Sequence, residues 1–238
     1  MTPDNPFRFA DDGPRHPNVR PKDAASLVLV RRDRDAVRVL MGERAKAHAF
    51  LPGRFVFPGG RMDVSDLRLA VATDLRPEVR AKVAAGITPT RARALALAAI
   101  RETFEETGLL VGKKASAVPN TRTDVWRRFF AEGVVPNLQP LEFIARAITP
   151  PGRPRRFDAR FFMVDAEHIA AALDPKAASG ELLKPLWLTL EEARAADILP
   201  ITQCVLDEVE ARLMPGPAAG RPTPFYIPRR GKALVKHL

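Results

Sequence analysis

The chain has 238 residues, 46% of them hydrophobic and 28% charged, which suits one large globular domain with ample material for a core. Its formal net charge of +10 fits either a basic soluble surface or a partner or substrate carrying phosphates, while a single Tyr, two Trp and no recognition-helix motif argue against nucleic acid. The lone Cys204 excludes an internal disulfide and a Cys-rich metal site, and no apolar run is long enough to span a membrane.

Residues 1–22 are rich in Pro, Asp and Arg and are expected to form an extended arm. The start lacks the apolar core of a signal peptide, which predicts a cytoplasmic protein. "AASLVLVR" (24–31) and "AVRVLMGE" (36–43) are β-type runs flanking charged "RDRD" and predict a strand pair. "RFVFPGG" (54–60) predicts a third strand ending in a Pro-Gly-Gly turn. Residues 61–88 read as a small helical insert, with Pro77 suited to a first turn and Gly86 to a stop. Thr88-Pro89 then predicts the N-cap and first residue of a long helix running through Leu95, Leu97, Ile100 and Phe104 to Gly108.

"LEFIARAI" (141–148) and "RFFMVD" (160–165) predict strands, and "LTLEEARAA" and "PITQCVLDEVEARL" predict helices, with Cys204 in the core. Residues 215–238 read as a surface tail, leaving 23–214 as the domain. The order of strands, helix, strands and helices predicts an α+β fold, a sandwich of a mixed sheet between helices.

The long helix ends in "RETFEETGLL", residues 101–110. Glu102, Glu105 and Glu106 stand at i, i+3 and i+4 and share one face, roughly opposite Leu97, Ile100 and Phe104. Like charges this close repel, and a divalent cation offsets the repulsion because hard cations take carboxylate oxygens as ligands. Arg101 is placed to bridge carboxylates, and the upstream glycine turn lets backbone approach a ligand closely.

"RETFEETGL" resembles the second half of the Nudix box, a motif of a glycine, five residues, a glutamate, seven residues, then Arg-Glu-apolar-x-Glu-Glu-x-Gly-apolar. Gly60 lies 41 residues before Arg101 instead of 14, which leaves an insert of 27, and counting back from Arg101 puts Arg93 where the motif has its first glutamate. The split box resembles the coenzyme A diphosphatase branch of the family. "LMGERA" and "GRFVFPGG" fit that branch's upstream signature, with Ala49 in place of a second arginine.

The resemblance implies the Nudix fold and hydrolysis of a nucleoside diphosphate linked to another moiety, with coenzyme A or its acyl derivatives leading. ADP-ribose, a dinucleotide or another nucleotide is the alternative within the class, and a non-catalytic Nudix-fold binding module the alternative outside it. It further implies Mg2+ or Mn2+ on Glu102, Glu105 and Glu106, with Arg101 orienting the cluster. Glu181, in "SGELLKPLW", is a candidate general base. Arg44, Gly59 and Gly60 are candidate substrate contacts, and Arg155 and Arg156 of the basic segment "GRPRRFDARF" are candidates for a terminal phosphate. The expected partner is a small diphosphate, with no nucleic acid and no membrane, and with a homodimer as the candidate assembly.

Overall fold

The computed structural model describes residues 16–44, 53–174, 179–214, 221–229 and 232–238; most of the N-terminal arm, His48, Ala49 and the first residues of the expected tail lie outside them. In chain order the strands are β1 (Lys22–Arg32), β2 (Val37–Arg44), β3 (Phe55–Val56), β4 (Gly59–Arg61), β5 (Leu109–Val111), β6 (Lys113–Lys114), β7 (Val134–Val135), β8 (Glu142–Ile148), β9 (Phe157–Asp165), β10 (Ile169–Ala172), β11 (Leu182–Thr189), β12 (Pro224–Arg229) and β13 (Lys232–His237). The helices are α1 (Pro77–Val83), α2 (Pro89–Thr107), α3 (Asp124–Ala131), α4 (Leu190–Ala195) and α5 (Pro200–Leu213).

One nine-stranded mixed sheet organises the molecule, in the order β11-β2-β1-β9-β8-β12-β13, with β3 on β2 and β4 on β1. β1 runs parallel to β9, placing Ala25 beside Arg160, and antiparallel to β4, placing Ala25 opposite Gly60 and Ser26 opposite Gly59. Period-two alternation sends β1 side chains to two cores. Ala25, Leu27 and Leu29 meet α1, α2 and α3 on one face; Val28 and Val30 meet Ala193, Cys204, Val205 and Val209 of α4 and α5 on the other. This is the expected sandwich, with Cys204 buried as expected.

α2 starts where the sequence places it. The Thr88 hydroxyl accepts the Arg91 N–H at 3.3 Å, Pro89 opens the first turn, and Gly108 closes the helix at φ +74°. Its alanine-rich middle, Ala92 to Ile100, is buried against the sheet almost without interruption, so α2 is a rigid rod with its last turn fixed over the glycine turn.

Residues 61–88 form a 3-10 turn at Val64–Arg68 followed by α1. Leu69, Leu75, Val79 and Val83 of this segment are all buried in the same core as α2. Two sheet arginines bind the end of α1, Arg146 Nη1 donating to Ala85 O at 3.0 Å and Arg160 Nε to Val83 O at 3.4 Å. Residues 223–238 differ from the surface tail read in the sequence. β12 pairs in parallel with β8 and antiparallel with β13, extending the sheet. Buried Tyr226 joins the second core, and the buried Thr223 hydroxyl donates to Phe143 O at 3.0 Å.

Candidate active site

The last two turns of α2 lie against the turn between β3 and β4. Gly59 N–H donates to Glu106 Oε2 at 2.9 Å. A Cβ on Gly60 would sit inside the Glu102 carboxylate, and one on Gly59 would collide with Ser26 and Ala25. Gly60 therefore serves close approach to α2, and Gly59 close approach to β1. Glu106 is almost wholly buried, and its second oxygen, Oε1, has no hydrogen-bond partner. Burial, resisted by the Gly59 N–H and reinforced by repulsion from Glu102 and Glu181, pushes its pKa up to about 8. Glu102 is pushed up to about 7, first by burial and then by Glu105 and Glu181, against the pull of Arg101.

Arg101 is buried at the centre of a second set of contacts. Nη1 donates to Glu102 Oε1 at 2.9 Å and Glu105 Oε2 at 2.6 Å. Nη2 donates to Arg61 O at 2.8 Å and Asp66 Oδ2 at 3.1 Å, and Nε to Asp66 Oδ1 at 3.0 Å. Burial opposes the guanidinium charge, but Asp66, Glu102 and Glu105 outweigh it and raise the pKa further. Asp66 is wholly buried and takes two more donors, the Asp63 N–H at 2.9 Å and the Trp126 indole N–H at 3.3 Å.

Asp66 is the residue that the motif count missed. Counting back from Arg101 leads to Arg93, whose guanidinium instead bonds Leu69 O. Counting forward from Gly60 leads past five residues to Asp66, and the structure pairs Asp66 with Arg101. The acid and the arginine thus meet across 35 positions of sequence. Trp126 carried no motif signal.

Among the described residues, no group of three His, Cys, Asp or Glu side chains is arranged to hold a metal ion. The reason is visible: Glu102 and Glu105 share Arg101, while Glu106 turns to Gly59. The donor chemistry nonetheless fits a hard divalent cation. Three carboxylates occupy one helix face, and a buried carboxylate oxygen lacks any partner. Arg44, at the end of β2, offsets part of the Glu106 charge. Glu181 precedes β11 and is exposed, close enough to repel Glu102 and Glu106; Ser179 N–H ties the same stretch to Glu105 O at 2.7 Å. Arg155 is exposed, and Arg156 is engaged by Asn18 Oδ1, Val19 O and Thr149 O.

A cleft of about 450 Å3 opens beside Glu102 and Glu105, lined also by Arg61, Arg101, Met62, Asp63, Ser65, Thr123 and Val125. Arg155 and Arg156 are not among its lining residues. His168 lies elsewhere, beside Glu167 in a smaller cavity of about 370 Å3.

A mixed sheet between helices, with an Arg-Glu-x-x-Glu-Glu helix end packed on a glycine turn, defines a hydrolase of the Nudix superfamily. A solved NUDIX hydrolase from Alicyclobacillus acidocaldarius is similar over 79% of this chain and 90% of its own, with 28% identity and a TM-score of 0.62. More distant likenesses are the NUDIX domain of Shewanella oneidensis NrtR complexed with ADP ribose (12% identity, TM-score 0.47, 82% of this chain and 90% of that one) and a C. elegans Ap4A hydrolase (16%, 0.43, 80% and 98%). Neither of these two bears on this chain's substrate. No protein-family model matches the chain.

Proposed function

We propose that the protein hydrolyses the phosphoanhydride of a nucleoside diphosphate linked to a second moiety, with coenzyme A or an acyl derivative as the leading substrate. The observation that carries the reaction is the α2 end itself: three carboxylates on one face, two held by Arg101 and the third, with an orphaned buried oxygen, by the Gly59 N–H. Glu102, Glu105 and Glu106 would hold Mg2+ or Mn2+, which when bound neutralises phosphate charge and acidifies a water. Gly59 and Gly60 keep the turn close to that face. Arg101 fixes the carboxylates, and Arg61 at the cleft adds positive charge for the diphosphate. Glu181, exposed ahead of β11, would accept the water's proton. No described helix is long and apolar enough to cross a membrane.

The charge of the cleft favours a second reading within the class. Its described lining carries Arg61 and Arg101 against Asp63, Glu102 and Glu105, and the arginines expected for a terminal phosphate stand outside it. That balance suits ADP-ribose or a dinucleotide better than a substrate with an extra phosphate. Incubation of coenzyme A, dephospho-coenzyme A, ADP-ribose and diadenosine polyphosphates with the protein and Mn2+, with products weighed by mass spectrometry, tests both. Release of 4′-phosphopantetheine, faster from coenzyme A than from the dephospho form, supports the leading substrate. Equal rates on the pair, or a preference for ADP-ribose, move the assignment to the alternative. Binding without cleavage of any of them leaves a ligand-binding module.

A further inference from the structure

Asp66 is an anion enclosed by protein. Its four hydrogen bonds come from Arg101 Nε and Nη2, the Asp63 N–H and the Trp126 indole N–H, so all its lone-pair directions are used. Three of these donors lie on the motif helix or on the turn that carries Asp66; the fourth comes from α3. Trp126 is wholly buried, boxed by Phe129 and Phe130 at ring-centroid distances of 5.3 and 6.2 Å. Its ring packing would be served by any large aromatic side chain. Its N–H is aimed at Asp66 Oδ1, the oxygen that also receives Arg101 Nε.

Arg101 faces two ways. One nitrogen holds Glu102 and Glu105, while the other two lean on Asp66. A cation binding to these glutamates must displace the guanidinium from them. The easier it is for Arg101 to rest on Asp66, the smaller that cost. A fixed, fully hydrogen-bonded Asp66 is thus the seat to which Arg101 retires.

We propose that Trp126 is a positioning residue for the reaction: through its N–H it fixes Asp66, and through Asp66 it sets how readily Arg101 releases Glu102 and Glu105 to a divalent cation. The proposal rests on the functional reading above for the identity of the cation, and on the geometry for the coupling. The adjoining Thr123 and Val125 line the cleft, so the same turn of α3 that shapes the ligand site anchors the arginine.

The test is a double-mutant cycle read by Mn2+ binding to the substrate-free protein, with electron paramagnetic resonance counting free Mn2+. Asp66→Asn should weaken Mn2+ binding about tenfold, the usual scale for losing a partner that orients a ligand set. Trp126→Phe should weaken it about threefold, less than the full worth of a hydrogen bond to a carboxylate, because the loss reaches the glutamates only through Asp66 and Arg101. In the Asp66→Asn background Trp126→Phe should change Mn2+ binding no further. Phe130→Leu, which disturbs the same ring packing, should lower the melting temperature and leave Mn2+ affinity alone. Replacing Trp126 with 3-benzothienylalanine, of the same shape but without the N–H, should reproduce the Phe result if Trp126→Phe misfolds. With a cleaved substrate, Trp126→Phe should lower kcat at limiting Mn2+ and leave KM for the diphosphate unchanged. Additive effects of Trp126 and Asp66, or wild-type Mn2+ affinity in the benzothienylalanine protein, overturn the proposal. Failure to cleave any diphosphate, with the Mn2+ cycle as expected, overturns the functional reading instead.

Discussion

Replacing Glu106 with Gln should make the cation-free protein more stable at high pH and less stable at low pH. The Glu106 carboxyl has an ordinary pKa of 4.5 and one of about 8 in the folded chain, because burial penalises its charge. Between those values the native state binds more protons than the unfolded state, so stability falls as pH rises from about 4.5 to 8. Above pH 8 the accumulated cost is about 5 kcal/mol, on the scale of 1.36 kcal/mol for each pKa unit. Glutamine stays neutral throughout and keeps an acceptor for the Gly59 N–H. Its amide nitrogen, placed where Oε1 has no partner, costs about 1–2 kcal/mol at every pH. The two stability curves should therefore cross. Wild type should win by about 0.5 kcal/mol at pH 5 and lose by about 3–4 kcal/mol at pH 9, on that same accounting. Urea unfolding in EDTA at the two pH values, followed by circular dichroism, measures the difference. Parallel curves for the two proteins would show that Glu106 ionises freely in the fold and would refute the burial argument.

The other expectations are briefer. Glu105→Gln and Glu106→Gln should each lower kcat by about 100-fold or more with Mn2+ saturating, since cation-based charge stabilisation is worth several kcal/mol; near-wild-type turnover in both would move the site elsewhere. Gly60→Ala should fold with native circular dichroism yet lose about 100-fold in activity, because the new methyl group displaces the Glu102 carboxylate. Arg156→Ala should lower the melting temperature by about 2–4 °C through release of residues 18 and 19 and leave KM for every substrate unchanged, as scanning calorimetry and steady-state kinetics will show. Thr223→Val should cost about 1 kcal/mol in urea unfolding by breaking the hydroxyl bond to Phe143 O.

The elements whose rules are local were legible. Thr88, Pro89 and Gly108 fix the ends of α2 through capping chemistry confined to a few residues, and the alternating runs of β1, β2, β8 and β9 each carry their own signal. The helix α3 was not read, since "DVWRRFFA" is short and only tertiary contact shows that Trp126, Phe129 and Phe130 form one buried face. β12 and β13 were missed for the opposite reason: "PFYIPR" contains two prolines, which read as irregular chain. β12 lies between β8 and β13, and it tolerates them because its parallel register with β8 is short, Phe225 with Arg146 and Tyr226 with Ala147, and leaves both prolines outside it. In the site, the glutamates and Arg101 declared themselves by spacing. Asp66 did not, because the motif was counted from the wrong end and its partner lies 35 residues away.

The chain between Asp66 and Arg101 leaves the site and returns to it at two points that one ion pair clamps together. Its length is therefore uncoupled from the chemistry, as a loop closed by a clasp can be lengthened without moving the clasp. What constrains it is underneath: four buried apolar side chains, Leu69, Leu75, Val79 and Val83, and two carbonyls, Val83 O and Ala85 O, that receive sheet arginines. A segment borrowed from another protein should be accepted here as a graft if it supplies those four side chains and ends a helix over Arg146 and Arg160. One that matches the native sequence everywhere else but lacks them should not.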